Sequence, residues 1–246
     1  LRGLVGSEMC IRDRMKAAPV DLTTGDLAAD RVRVDTPRPA TPERVAEVAA
    51  DLVRQHGWTG PVGVCMPSVV MHGVVRSAAN IDDSWVGVDA DTLFAEVVGA
   101  PVHVLNDADA AGQAELTWGA GAGRAGVVLC LTFGTGIGSA LFVDGVLVPN
   151  TELGHVELDG ADAELAAAAR ARKAHNLSWS EWGDRVNRYL QHVSFIVSPD
   201  LIILGGGASK RSHKWLPQID VACDVEIAAL ENNAGIAGAA LHAPTA

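Results

Sequence analysis

Gly126-Val127-Val128-Leu129-Cys130-Leu131-Thr132-Phe133-Gly134-Thr135-Gly136-Ile137-Gly138-Ser139-Ala140-Leu141-Phe142-Val143-Asp144-Gly145-Val146-Leu147-Val148 decides how the rest of the chain is read. Val127 to Phe133 is a nearly unbroken apolar run, the length of a strand buried on both faces. Glycines follow at alternate positions, 134, 136 and 138, with hydroxyls at Thr132, Thr135 and Ser139. Ala140 to Val143 is apolar again, and Asp144-Gly145 is a hairpin signal before Val146 to Val148. The stretch reads as strand, glycine turn, strand, hairpin, strand. Glycines at this density let backbone amides approach an anion closely. A tight β-turn with no ligand is the bland alternative. It is not a Walker loop, because no Gly-Lys-Ser/Thr follows and the glycines open a strand.

On the N-terminal side, Leu1 to Arg14 has neither alternation nor helical period. Met15 to Leu22 and Arg31 to Val34 read as strands. Thr41 and Pro42 open a helix with Val45, Val48, Ala49, Leu52 and Val53 on one face, closed by Gly57. Val62 to Met66 is a buried strand running into Pro67-Ser68, and His72-Gly73 is a hairpin signal. Asp91 to Gly99 is a short helix, Val102 to Leu105 a strand that ends in Asn106-Asp107, and Ala108 to Thr117 a small-residue helix. On the C-terminal side, Asp162 to Lys173 reads as one alanine-rich helix. Ser178 and Glu181 form a capping box for the next. Leu201 to Leu204 is a buried strand ending in Gly205-Gly206-Gly207. A short helix around Trp215, a strand near Val225 to Ile227 and a helix from Asn233 to Ala243 follow. Strands and helices thus alternate twice. This implies two α/β domains with mostly parallel sheets and a cleft between them.

The composition narrows the classes. At 48% hydrophobic but 4% aromatic, the core must be built from Ala, Val, Leu and Ile. The net charge of −11 argues against a nucleic-acid surface. No segment is apolar for the ~18 residues of a membrane span, and no signal-peptide layout is present at the start, so the expected setting is cytoplasmic. Four cysteines without a CxxC pair read as free thiols in a reducing compartment.

Four places put polar groups at strand ends, where open α/β sheets bind ligands: Asn106-Asp107, Gly134 to Gly138, Glu152 with His155, and Gly205 to Gly207. Asp107 can accept a proton from a substrate hydroxyl during phosphoryl transfer, or it can simply cap the next helix. Glu152 and His155 can hold adjacent hydroxyls of a sugar; a metal pair is the weaker option, since no third ligand lies close. Asn80 offers a donor and an acceptor, or is a turn residue.

Taken together, Thr36-Pro37-Arg38-Pro39-Ala40-Thr41-Pro42, Ala79 to Trp85, Leu105 to Gly112, Leu131 to Ala140, Pro149-Asn150-Thr151-Glu152-Leu153-Gly154-His155 and Gly205-Gly206-Gly207 resemble the ROK family of sugar kinases and repressors. Within it the chain looks like the polyphosphate glucokinases, from about Met15 onward. The resemblance implies an actin-like (ribonuclease H-like) two-domain fold. The smaller α/β domain would span residues 1–107, the larger 108–232, and the helix 233–243 would pack back on the first. It implies phosphoryl transfer to the 6-hydroxyl of glucose from polyphosphate and also ATP, with Asp107 as general base. Asn80, Asn106, Glu152 and His155 would hold the sugar. Lys16, Thr132, Gly134, Thr135, Gly136, Gly205, Gly206, Gly207, Lys210 and Arg211 would serve the phosphate donor. Mg²⁺ would accompany the donor, and the protein would be a homodimer. A strictly ATP-dependent glucokinase and an impaired sugar binder are the alternatives.

Three departures carry expectations. The cysteine cluster that usually follows Glu-x-Gly-His is absent, so no structural zinc is expected. Ser68 stands where the family has glycine, and would be strained if φ is positive there. The family's N-terminal Asp-x-Gly-Gly phosphate loop is absent from residues 1–14. The first strand and half the donor site are therefore expected to be missing or replaced, and turnover slow. Polyphosphate needs local cations: Arg170, Arg172 and Lys173 form one cluster, Lys210, Arg211 and Lys214 another. For the first, a solvated helix face is the alternative.

Overall fold

The computed structural model describes residues 3–10, 14–78 and 81–245, the first of these segments by its backbone alone. The chain divides into two compact units, residues 1–114 with 232–246, and residues 115–231.

The first unit is built from β1 (Gly3–Cys10), β2 (Arg14–Asp21), β3 (Val32–Asp35), α1 (Pro42–Gln55), β4 (Val62–Met66), the small hairpin β5 (Val70–Met71) and β6 (Val74–Val75), α2 (Ala90–Val98), β7 (Val102–Asn106) and most of α3 (Asp107–Trp118). Its sheet has the order β3-β2-β1-β4-β7. α1 buries Val45, Ala46, Ala49, Leu52 and Val53, the stripe that a helix laid on a sheet requires. Thr41 occupies its N-cap without a side-chain bond. At the other end His56 Nε2 lies 3.0 Å from the carbonyl oxygen of Ala17, a bond that engages the part-buried ring. His72 and Gly73 have positive φ in the β5–β6 turn.

The second unit holds β8 (Val127–Phe133), β9 (Ile137–Val143), β10 (Val146–Val148), a second small hairpin of β11 (Glu157–Leu158) and β12 (Ala161–Asp162), α4 (Ala163–Ala167), α5 (Ala169–Ala174), α6 (Trp179–Val197), β13 (Leu201–Gly205) and β14 (Asp224–Ile227). Its sheet order is β10-β9-β8-β13-β14. The chain then returns to the first unit as α7 (Ala234–Leu241).

Counted within each unit, the two sheets share one order and one pattern of directions. Three strands form an antiparallel meander, and two further strands add in parallel on the side of the meander's first strand. The sheets are therefore mixed, which corrects the expectation of mostly parallel ones. Tight turns such as Asp144-Gly145, both with positive φ, can join only antiparallel neighbours, while helical crossovers give the parallel ones.

The expectation of a missing first strand is also corrected. Residues 3–10 form β1, paired antiparallel with β2 and parallel with β4. Pairing along both edges satisfies the backbone whatever the side-chain pattern, so a sequence without alternation can still form the strand. The connection at residues 11–13, where a phosphate loop was sought, lies outside the described residues. α7 crosses β4 and α3 so closely that a Cβ at Gly63 would lie 1.7 Å from the Ala239 carbonyl oxygen. One at Gly238 would lie 1.6 Å from that of Ala110. This close approach explains the alanine and glycine content of α7.

The alanine-rich stretch from 162 to 173 is two helices, not one. Ala168 is extended at ψ 152°, and the Trp182 indole N–H donates to the carbonyls of Ala167 and Ala168 at 3.1 and 3.2 Å. α6 carries the expected capping box of Ser178 and Glu181. Glu115, the first residue of the second unit, is buried. Its carboxylate accepts from the backbone N–H groups of Ala120, Ala229 and Leu230 at 3.0, 3.0 and 2.8 Å.

Candidate functional site

In the first unit the site residues gather where β7 meets α3. The Asn106 side-chain oxygen accepts from the N–H groups of Ala108 and Asp109 at 2.8 and 3.1 Å. It therefore does the capping that Asp107 could have done. The Asn106 amide donates to the Ser68 carbonyl at 3.2 Å. Asp107 opens α3 half-buried. Ser68 is buried and its φ is not positive, so the expected strain is absent. Its hydroxyl oxygen has no hydrogen-bond partner among the described residues. Lys16 lies on β2, level with Glu8 and Arg33, at the same sheet end as Asn106. It is three strands away, about 14 Å at the usual strand spacing. Asn80 lies outside the described residues.

In the second unit the glycine turn is set by Phe133. This ring is fully buried and meets Trp182, Tyr189 and Trp215 edge-on, with centroids 5.8, 6.2 and 6.2 Å away. The geometry is that of favourable aromatic pairs. Beyond it Gly134 N–H donates to the Gly136 carbonyl at 3.0 Å, and Arg170 N–H to the Gly134 carbonyl at 3.1 Å. The Ile137 N–H donates to the Glu164 carboxylate at 3.2 Å, and a Cβ at Gly136 would lie 2.3 Å from that carboxylate. Among the described residues no hydrogen bond takes the N–H of Thr135 or Gly136, so the tip offers two amides to a ligand.

The triple glycine lies directly against this turn. Gly205 is in register with Thr132. Gly206 has φ 81°, and a Cβ there would lie 2.6 Å from both the nitrogen and the oxygen of Phe133. Gly207 has open space around it. Lys210 and Arg211 follow in a 3₁₀ segment, Ser209–Lys214, with the Lys210 ammonium 3.6 Å from the Glu231 carboxylate. The other basic cluster is largely engaged: Arg170 pairs with Glu164 at 3.0 Å, and Arg172 stacks 4.2 Å over Trp179 while donating to the Leu177 carbonyl.

Glu152 precedes, and His155 ends, a 3₁₀ turn, Leu153–His155, pressed onto the start of β9. A Cβ at Gly154 would lie 2.1 Å from the Ile137 carbonyl oxygen. Leu153 N–H donates to Ser139 Oγ at 2.9 Å, and the Tyr189 hydroxyl to the Leu153 carbonyl at 3.1 Å. Lost hydration raises the Glu152 pKa, an effect opposed by His155 and reinforced by Glu164. The His155 pKa is raised chiefly by its hydrogen bond to Asp162.

The structure thus brings Gly134 to Gly136, Gly205 to Gly207, Glu152 and His155 together in one unit, and places Asn106, Asp107 and Lys16 in the other. Asp162 and Glu164 were not singled out from the sequence, and Ser68 only as a position of possible backbone strain. Asp162 preceding an alanine-rich run signals a helix cap, which it is, but nothing local signals its second bond. Among the described residues no group of three His, Cys, Asp or Glu side chains is placed to hold a metal. A surface depression lined by Arg124, Gly126, Asp200 and Asp224 lies at the opposite end of the second sheet and takes no part in this site.

Comparison with known proteins gives the arrangement a context. Residues 12–167 match the ROK family. The chain is 49% identical over 228 residues to a polyphosphate glucokinase of Mycobacterium tuberculosis (strain CDC 1551 / Oshkosh), covering 92% of this chain and 86% of that one. It is 48% identical to the inorganic polyphosphate/ATP-glucomannokinase of Arthrobacter sp. strain KM, with a TM-score of 0.92 over 97% of each chain. A ROK family glucokinase from Streptomyces griseus, at 23% identity and a TM-score of 0.84 over 98% of this chain and 99% of that one, shares the fold. By its matched residues and these relatives, the chain belongs to the ROK family.

Proposed function

We propose that this protein transfers a phosphoryl group from inorganic polyphosphate, and also from ATP, to the 6-hydroxyl of glucose. The observation that carries the reading is the capping of α3 by Asn106. The cap is filled one residue earlier, so Asp107 opens the helix with a half-buried carboxylate at the strand end, beside the residue that fixes the turn. Likeness to relatives named polyphosphate glucokinase and polyphosphate/ATP-glucomannokinase supports the choice of donor and acceptor.

In this reading Asn106, Glu152 and His155 hold the sugar hydroxyls, together with Asn80. Asp107 takes the proton of the 6-hydroxyl as that oxygen attacks the terminal phosphorus, and the bond to the donor's bridging oxygen breaks. The amides of Thr135 and Gly136, with the backbone of Gly205 to Gly207 beside them, meet the oxygens of the transferred group, where charge must be stabilised. Mg²⁺ is read as the ion that travels with the donor and screens its phosphates. An ion held by phosphates, waters and one or two carboxylates fits a chain whose described residues form no metal cage. No helix among the described residues is long and apolar enough to cross a membrane. A cytoplasmic homodimer completes the proposal.

The test is a pair of transfer assays with glucose, one supplied with polyphosphate and one with ATP. Glucose 6-phosphate is expected from both. Transfer from ATP alone would make the protein a strictly ATP-dependent glucokinase. Glucose binding with no transfer from either donor would make it a sugar binder.

A further inference from the structure

His155 is not held by its backbone alone. Its Nδ1 lies 2.7 Å from Oδ2 of Asp162, while Oδ1 of the same carboxylate accepts the Glu164 N–H at 3.0 Å and caps α4. The two residues are seven positions apart in the sequence. They meet because β11 and β12 fold back on each other, Glu157 opposite Asp162, through a turn at Asp159 and Gly160 with positive φ at both. Arg188 pairs with Asp159 at that turn. Ala163 N–H closes the hairpin on the Val156 carbonyl at 3.0 Å. The side chains of His155 and Asp162 remain 43% and 35% exposed, so the ring is partly accessible to a ligand.

We infer that Asp162 is a positioning residue for glucose binding: by accepting from Nδ1 it fixes the ring of His155 and leaves Nε2 as the atom presented to the sugar. The inference rests on the reading of His155 as a sugar ligand. A carboxylate on Nδ1 keeps a proton there, so Nε2 of the neutral ring accepts from a hydroxyl, and that of the charged ring donates to one. The charged groups around the ring are Asp162, Glu152 and Glu164, the last paired with Arg170. Three carboxylates on one imidazole favour the donating form, with Asp162 the one in contact.

Asp162→Asn removes the charge and keeps a side chain that caps helices equally well, so folding is expected to be preserved. Glucose affinity would be measured by calorimetry from pH 5.5 to 8.5 for the wild type, Asp162→Asn, His155→Ala and the double variant. The His155 ring nitrogens would be followed by NMR. The expected result is that Asp162→Asn weakens glucose binding roughly 5- to 10-fold, the size of one hydrogen bond's worth of affinity. The His155 titration should move to lower pH and Nδ1 lose its preference for the proton. In the His155→Ala background the same change should cost nothing further. If His155→Ala weakens binding but Asp162→Asn changes neither affinity nor titration, the inference is overturned alone. An equal loss from Asp162→Asn with and without His155 also overturns it, since Asp162 would then act elsewhere. If His155→Ala leaves glucose affinity unchanged, the reading of His155 as a sugar ligand fails, and the inference with it.

Discussion

The side-chain amide of Asn106 donates to the backbone carbonyl of Ser68 at 3.2 Å, tying the end of β7 to the turn that follows β4. With its oxygen on two amides of α3, this one residue joins a strand, a turn and a helix. Asn106→Ala should therefore lower stability by about 1–2 kcal/mol through the lost cap, read from urea unfolding. It should also lower kcat, because Asp107 loses its fixed starting point. Unchanged kcat in a folded variant would separate Asn106 from the chemistry.

Asp107→Asn keeps the shape of the side chain and removes the base. A loss of about 10²–10⁴ in kcat is expected, with glucose affinity within a small factor of the wild type. Steady-state assays and calorimetry on the same preparation check both halves.

Gly206 has no room for a methyl group, since the atoms in its way are the backbone of Phe133. Its φ of 81° is also unfavourable for alanine. Gly206→Ala should push the triple glycine away from the end of β8. The variant should be less stable by about 1–3 kcal/mol, and its KM for the phosphoryl donor should rise more than its KM for glucose.

His103 and Asp91 give a pH dependence remote from the proposed chemistry. The hydrogen bond to Asp91, Nδ1 to carboxylate at 3.2 Å, is the main cause of a raised His103 pKa. A raised folded pKa stabilises fully below the unfolded value, near 6.5, and that stability is lost as pH rises through the folded value. Asp91→Asn should therefore cost more stability at pH 5.5 than at pH 8.5. His242, 6.3 Å away between ring centroids, has its pKa lowered by burial and then by His103. It destabilises as pH falls, and it does so in both proteins. Urea midpoints of wild type and variant at the two pH values give the comparison; a difference that grows with pH would contradict it.

For the donor, the two basic clusters now stand apart. Arg170 and Arg172 are engaged with Glu164 and Trp179; Lys210, Arg211 and Lys214, of which Lys210 meets the exposed Glu231 at 3.6 Å, follow directly on the triple glycine and are the stronger candidates for a polyanion. Neutralising these three together should raise the KM for long polyphosphate more than for ATP. The excess should shrink as salt rises, because exposed charges are screened over about 8 Å at physiological ionic strength. Equal changes for both donors at every salt concentration would assign the cluster to ordinary solvation.

How much of this was legible varies with the range of the interaction. β8, its glycine turn, β9 and the Asp144-Gly145 hairpin follow from local signals: an apolar run, alternating glycines and a two-residue turn. Asn106-Asp107 was visible as an abrupt polar end to a buried strand, but which of the two caps α3 is a matter of geometry. The break at Ala168 depends on Trp182, fourteen positions on, and no period in residues 162–173 announces it. The His155–Asp162 bond needs a hairpin of four strand residues to bring its partners together. Strand direction within each sheet is set by partners distant in sequence, so alternation of strand and helix suggested more parallel pairing than exists. Glu115 was hidden most completely, since a carboxylate in a helix reads as solvent-facing until its amide partners are seen.

That carboxylate has a consequence for modularity. Residues 115–231 enter at Glu115 and leave just after Leu230, and the entering side chain holds the amides of the leaving segment. The two ends of the segment are thereby clipped to each other from within. A segment closed in this way is organised like a cassette spliced into a host, and domains whose termini lie together are those that tolerate insertion and permutation. The clip belongs to the cassette, so it would travel with residues 115–231 into any other host loop wide enough to accept its paired ends.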